Sequence, residues 1–380
     1  MANLSKTVAI VGAAESDEIG VVPNKSALQH HAEAGWNALA DAGLSVKDVD
    51  GVFAAGYSTL ATAEYMGIKP KFTDSTAVGG SSFVIHIAHA VAAINAGYCS
   101  VALVTHGQAG RSARGGAPAD TTLPTNNFEA PYGIIGPPIS YAMAASRYMH
   151  QDGEDRTRQA MAEIAVSTRK WANLNPRALM HDQPMSFDDY HNSRWIAWPF
   201  HLLDCCLVTD AGGAIVLTSV ERARDLPKKP VYVLGAAEHH NHNMMSQMPD
   251  FTVTPAHVSG PNALQMSGLS FSDIDLTMIY DSFTYTVLAT LESLGYCGPG
   301  EGPDFVAGQR TAPGGNFALN TSGGGLSYTH SGMYGMFLNV EAVKQLRGEA
   351  GERQVECKTA LVNGTGGSLS STGTVILAVD

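Results

Sequence analysis

Two residues with proton-transfer chemistry stand where a fold places its ligands. Tyr280 closes the apolar run Leu276-Thr277-Met278-Ile279, and in α/β proteins ligands gather beyond the carboxyl ends of strands. His330 follows Gly323-Gly324-Gly325 in a loop of small residues with little to pack against. An unperturbed histidine titrates at about 6.5 and suits proton exchange at neutral pH, whereas tyrosine, at about 10, needs a neighbour to act as a base. On the residues alone a packed structural tyrosine reads the same way. A third feature is Gly79-Gly80-Ser81-Ser82, opening an apolar helical pattern near Phe83. Backbone N–H groups at such a helix start form part of an oxyanion site, or simply a tight turn.

Other chemistry is argued against. His239-His240-Asn241-His242 is one contiguous run, whereas zinc sites combine ligands from separated segments, so no metal is expected. No G-x-G-x-x-G sits between a strand and a helix, and there is no Walker sequence. The five cysteines, Cys99, Cys205, Cys206, Cys297 and Cys357, form no C-x-x-C pair, and a reducing, cytoplasmic setting is expected. A net charge of −12 with no run of Lys or Arg gives no footprint for nucleic acid or an anionic membrane. The apolar segment from Phe83 to Gly97 is broken by His86, His89 and Asn95, so no membrane span is read.

At 380 residues, 44% hydrophobic and with 40 glycines, the chain is long enough for two domains or two similar halves. Its two ends repeat each other. Val8-Ala9-Ile10-Val11-Gly12-Ala13-Ala14-Glu15 is matched by Val231-Tyr232-Val233-Leu234-Gly235-Ala236-Ala237-Glu238, and Gly43-Leu44-Ser45 by Gly268-Leu269-Ser270. Buried strands alternating with helices predict an α/β protein with mixed sheets. The boundary is placed near Pro230, giving an N-terminal half, 1–229, and a C-terminal half, 230–380. The first half carries an insertion over about 108–209, the kind of segment that builds a substrate pocket or a dimer contact.

With these duplicated halves the chain resembles the thiolase superfamily, and the motifs narrow the resemblance. The stretch from Asn320 to Gly332 is similar to the thiolase Asn-x-x-Gly-Gly-x-x-x-x-Gly-His-Pro-x-Gly segment, with His330 at the catalytic histidine. Tyr280-Asp281-Ser282-Phe283 resembles the His-Asp-Cys-Phe box of the sterol-carrier-protein-X and lipid-transfer-protein branch. The resemblance implies the duplicated five-layer α-β-α-β-α thiolase fold. It also puts Gly80 at the position of the nucleophilic cysteine and Gly364 at that of the second cysteine, so neither thiol is present. That combination resembles the aldolases of steroid side-chain degradation, which cleave a β-hydroxyacyl-CoA without a covalent acyl-enzyme.

By this resemblance the chain is an acyl-CoA carbon–carbon lyase with Tyr280 and His330 as catalytic residues. Gly80, Ser81, Ser82, Asn363 and Gly364 form the substrate and oxyanion pocket, and Arg111 and Arg114 are candidates for the coenzyme A phosphates. A coenzyme A thioester is the substrate, with no cofactor. The resemblance further implies a homodimer and a small OB-fold or zinc-ribbon partner protein. Many of these aldolases carry a second tyrosine where this chain has His330. Two alternatives stand beside this reading: a thiolase or acyltransferase using Ser81 or Ser82 as nucleophile, and a non-catalytic acyl-CoA-binding or scaffolding subunit.

Overall fold

The apolar runs that end in glycine or alanine become the strands of one ten-stranded sheet, seen in a computed structural model that describes residues 4–113 and 122–380. In the first half of the chain these are β1 (Val8–Glu15), β2 (Gly51–Ala54), β3 (Phe72–Asp74) and β4 (Val101–Ala109). A separate two-stranded hairpin follows, β5 (Trp195–Ala197) and β6 (Phe200–His201), and then β7 (Asp210–Ser219). The second half supplies β8 (Val231–His240), β9 (Leu276–Ile279), β10 (Ala318–Leu319), β11 (Thr359–Gly366) and β12 (Ser371–Ala378).

The strand order is β10-β9-β11-β12-β8-β1-β7-β4-β2-β3. Reading outward from the centre, each half runs through the same succession: an antiparallel pair, a second antiparallel pairing, then two parallel pairings to the edge. The halves meet where β1 pairs with β8 through only two residue pairs, Ala9 with Tyr232 and Ile10 with Val231. The matched turns fold alike as well. Gly43 and Gly268 both take the left-handed conformation, φ 69° and 74°, which glycine adopts without a Cβ penalty. Ser45 and Ser270 then each cap a short turn with Asp48 and Asp273.

Helices cover both faces of these strands and also fill the space between the halves. Helix Ala27–Asp41 packs on β1, β4 and β7, and helix Ala256–Ser267 on β8 and β12. Between the halves lie helices Ser82–Asn95 and Gly335–Arg347, each touching strands of both. Their sequences suit that layer: Phe83, Val84, Ile85 and Ile87 on one, Met336, Phe337, Leu338 and Val340 on the other, are fully buried, as expected of helices apolar around much of their circumference. Helices Pro137–Asp152 and Glu154–Asn173 and the β5–β6 hairpin lie between β4 and β7 in the chain. No helix among the described residues is long and apolar enough to cross a membrane.

Candidate active site

Tyr280 stands one residue beyond β9, where the parallel strand ends, and its N–H donates to the Asn363 carbonyl on β11 at 3.0 Å. The pairing of β9 with β11 thus fixes the tyrosine backbone. His330 comes from the loop after β10. Its backbone is tied on both sides to Thr209: the His330 N–H donates to the threonine hydroxyl at 2.9 Å, and the Thr209 N–H to the His330 carbonyl at 3.0 Å. The histidine ring lies nearly parallel to Tyr334, with centroids 6.2 Å apart, and edge-on to Tyr280 at 5.7 Å. Nε2 of His330 and the Tyr280 hydroxyl are 2.8 Å apart, a full hydrogen bond.

Both groups open onto a pocket of about 280 Å³. Gly79 and Gly80, on the turn into helix Ser82–Asn95, form one wall; Cys206, Ser282 and Phe283 form another. Tyr141 closes a third side by donating its hydroxyl to the Gly367 carbonyl at 3.0 Å. Burial drives the electrostatics. It pushes the Tyr280 hydroxyl well above its ordinary range and brings the His330 imidazole down to about 4, because a dry site disfavours the charged form of either group. At neutral pH the pair is a neutral phenol beside a neutral imidazole. The Gly332 N–H approaches Nδ1 at 3.4 Å, too long to fix the tautomer, so Nε2 is able to accept from Tyr280 or donate to it.

Of the residues expected at the site, the structure brings together Tyr280, His330 and Gly80. Ser81 and Ser82 lie behind the lining. The Ser81 hydroxyl is engaged by Ser371 at 2.9 Å, while that of Ser82 donates to the Gly79 carbonyl at 2.6 Å and accepts the Val78 N–H. The Ser82 N–H is also spent, on the Gly79 carbonyl. Both hydroxyls are thus engaged within the protein, and neither serine is among the residues that line the pocket. Asn363 donates to the Thr374 hydroxyl at 2.8 Å inside the sheet, and Gly364 packs against Val84 of helix Ser82–Asn95; the pocket floor is built instead by Thr365, Gly366 and Gly367. Arg111 has an exposed side chain, and its N–H donates to Asp210 at 2.7 Å. Arg114 lies outside the described residues.

Sequence reasoning missed Cys206, Tyr141 and Pro137 as lining groups. Cys206 reads as a packed strand edge, and only its pairing to the Ser282 carbonyl, N–H to O at 3.0 Å, carries it into the pocket wall. Among the described residues no group of His, Cys, Asp or Glu is arranged to hold a metal ion. His239 and His240 belong to strand β8, and His240 engages Ser371 and Glu238.

Comparison with known proteins places this geometry. Residues 237–379 match the family model described as thiolase C-terminal domain-like. The chain is 38% identical over 364 residues to 17-hydroxy-3-oxo-4-pregnene-20-carboxyl-CoA lyase of Mycobacterium tuberculosis, covering 91% of this chain and 92% of the relative. The chain belongs to the thiolase superfamily, in its sterol-carrier-protein-type branch. The steroid side-chain-cleaving aldolase of Thermomonospora curvata is 36% identical, covering 94% of each chain. The solved structure of the Ltp2-ChsH2(DUF35) aldolase superimposes with a TM-score of 0.91 at 34% identity, covering 100% of this chain and 99% of that one.

Proposed function

We propose that this protein is an acyl-CoA carbon–carbon lyase that cleaves a β-hydroxyacyl-CoA thioester by acid–base chemistry alone. The observation that carries the reading is the Tyr280–His330 pair, hydrogen-bonded at 2.8 Å in a pocket whose wall at the thiolase nucleophile position is the glycine Gly80. The similarity to the acyl-CoA lyase of M. tuberculosis and the aldolase of T. curvata supports it.

In this reading the β-hydroxyl of the substrate donates to the Tyr280 oxygen while the Tyr280 proton passes to Nε2 of His330. The bond between the α and β carbons breaks as the carbonyl forms, and its electron pair moves into the thioester as an enolate. The imidazolium so formed, in a site that holds the imidazole at about 4, is a strong acid and returns the proton through Tyr280 to the α carbon. Gly79 and Gly80, at the opening of helix Ser82–Asn95, aim the positive end of that helix at the pocket, where it favours the developing oxyanion. No cofactor takes part.

The same reading treats residues 1–229 and 230–380 as the two thiolase-like halves. It takes the working assembly as a homodimer, joined by a small OB-fold or zinc-ribbon partner as the solved Ltp2-ChsH2(DUF35) aldolase is by its DUF35 component, in a cytoplasmic setting. The test is turnover of a panel of β-hydroxyacyl-CoA thioesters by the wild type and Tyr280→Phe. Loss of the hydroxyl should lower kcat on the order of 100- to 10,000-fold with little change in KM. Near-full turnover by the variant overturns the reading.

A further inference from the structure

Asp281 follows Tyr280 directly, is fully buried, and has no part in the proton path. Its carboxylate reaches to the glycine-rich loop: Oδ1 accepts the Gly325 N–H at 2.6 Å and Oδ2 the Leu326 N–H at 3.2 Å. The glycines are shaped to this approach. Gly324 takes φ +60°, and a Cβ there would stand 2.7 Å from the carboxyl carbon of Asp281. A Cβ on Gly325 would lie 3.2 Å from Asp281 Oδ1 and equally 3.2 Å from Cδ2 of His330. An oxygen of the Asp281 carboxylate and the edge of the His330 imidazole thus both border the space that a side chain on Gly325 would fill, while the Gly325 N–H itself is held by that carboxylate.

We infer that Asp281 is a positioning residue, its ionised carboxylate holding the Gly324–Tyr328 turn so that Nε2 of His330 meets the Tyr280 hydroxyl; the importance of that meeting for turnover rests on the function proposed above. An ionised carboxylate is an acceptor only and takes both N–H groups at once; when protonated, one of its oxygens carries a donor. If that proton faces a backbone N–H, the turn loses one of its two anchors. Burial raises the Asp281 carboxyl to about 7, against the opposing pull of those N–H groups, so the change falls in the physiological range.

The titratable groups around Asp281 are Cys206 from the segment before β7, Tyr334 at the start of helix Gly335–Arg347, Tyr280 on its own element, and His330 beyond Gly325. Burial holds the thiol and both phenols well above their ordinary ranges and the imidazole at about 4. None of these four changes charge near neutrality; burial also raises Asp204, which accepts from the Thr284 hydroxyl, and the Asp281→Asn comparison separates the two carboxyls.

The test is an NMR titration of protein carrying ¹⁵N in its histidine rings, the His330 signals being identified by their loss in His330→Asn. The wild type should show a step in those signals at about pH 7, well away from the imidazole's own titration, and the step should vanish in Asp281→Asn. The variant should also lose about 10- to 100-fold in kcat, the scale of a reacting group displaced by about 1 Å, with KM nearly unchanged. His330 signals that ignore the Asn substitution overturn the inference. Should that variant fail to fold, the wild-type titration decides alone, since a single step at about 4 also overturns it. A step at about 7 in a protein whose lyase turnover survives Tyr280→Phe keeps the positioning and discards the proposed function.

Discussion

The ring of Tyr280 occupies the space that any side chain at Gly80 would need. A Cβ on Gly80 would stand 2.7 Å from Cζ of Tyr280 and 2.8 Å from the Thr365 carbonyl oxygen, closer than real Cβ contacts come. The missing nucleophile and the tyrosine are thus one structural fact: the pocket has room for the phenol only because position 80 has no side chain. Acyl transfer through a residue at 80 and proton transfer through Tyr280 compete for the same volume.

Gly80→Cys should therefore create no thiolase. Its Cβ must displace the Tyr280 ring from His330, and misplacing a reacting group by about 1 Å costs on the order of 100-fold in turnover. Lyase kinetics on the variant, with circular dichroism to verify the fold, check this. Turnover equal to the wild type would mean that the ring is free to move without consequence.

Cys206 changes what thiol chemistry should do to this protein. With no cysteine in the motifs, alkylation is expected to leave activity mostly intact, but the structure puts the half-buried Cys206 in the pocket wall. Burial raises its thiol well above the ordinary range, so reaction with a maleimide should be slow and, once complete, should block the pocket sterically. Cys206→Ala should keep most of the turnover and resist the reagent. Inactivity of Cys206→Ala with an intact fold would instead give the thiol a part in turnover.

Acid should unfold the protein through its buried histidines. Burial brings His31 to about 3 and His86 to about 4, both below the unfolded value of about 6.5. The unfolded chain then binds protons that the native state refuses, so stability is complete above about 6.5 and is lost as pH falls toward 4. His86 sits against Phe53 and Phe83 with neither ring nitrogen partnered among the described residues. His86→Leu should shrink the difference in urea midpoint between pH 7.5 and pH 5; an unchanged difference would exclude His86 as a contributor.

The strands, the repeat of the glycine-capped turns and the Tyr280 and His330 positions were all legible in the sequence, because each is a local pattern: an apolar run, a left-handed glycine, a motif. The pocket walls were not. Ser81 and Ser82 directly follow the pocket-lining Gly80, and whether a hydroxyl faces the pocket or is taken up elsewhere depends on Val78 and Ser371, which no spacing rule brings together. Cys206 enters the site through pairing with the residue after Asp281, an encounter of distant segments. Asp281 was visible as a letter of the motif, but its task depends on how closely three glycines let a backbone approach.

The two-residue seam between β1 and β8 has a consequence for how the molecule comes apart. So thin a strand contact cannot hold the halves together, and the work falls to helices Ser82–Asn95 and Gly335–Arg347, each buried against strands of both. Removing either half would strip a largely buried helix of its cover, and Gly80 from one half completes a pocket whose Tyr280 and His330 come from the other. A chain built on a repeated plan should therefore melt as one cooperative unit, with a single calorimetric transition instead of two.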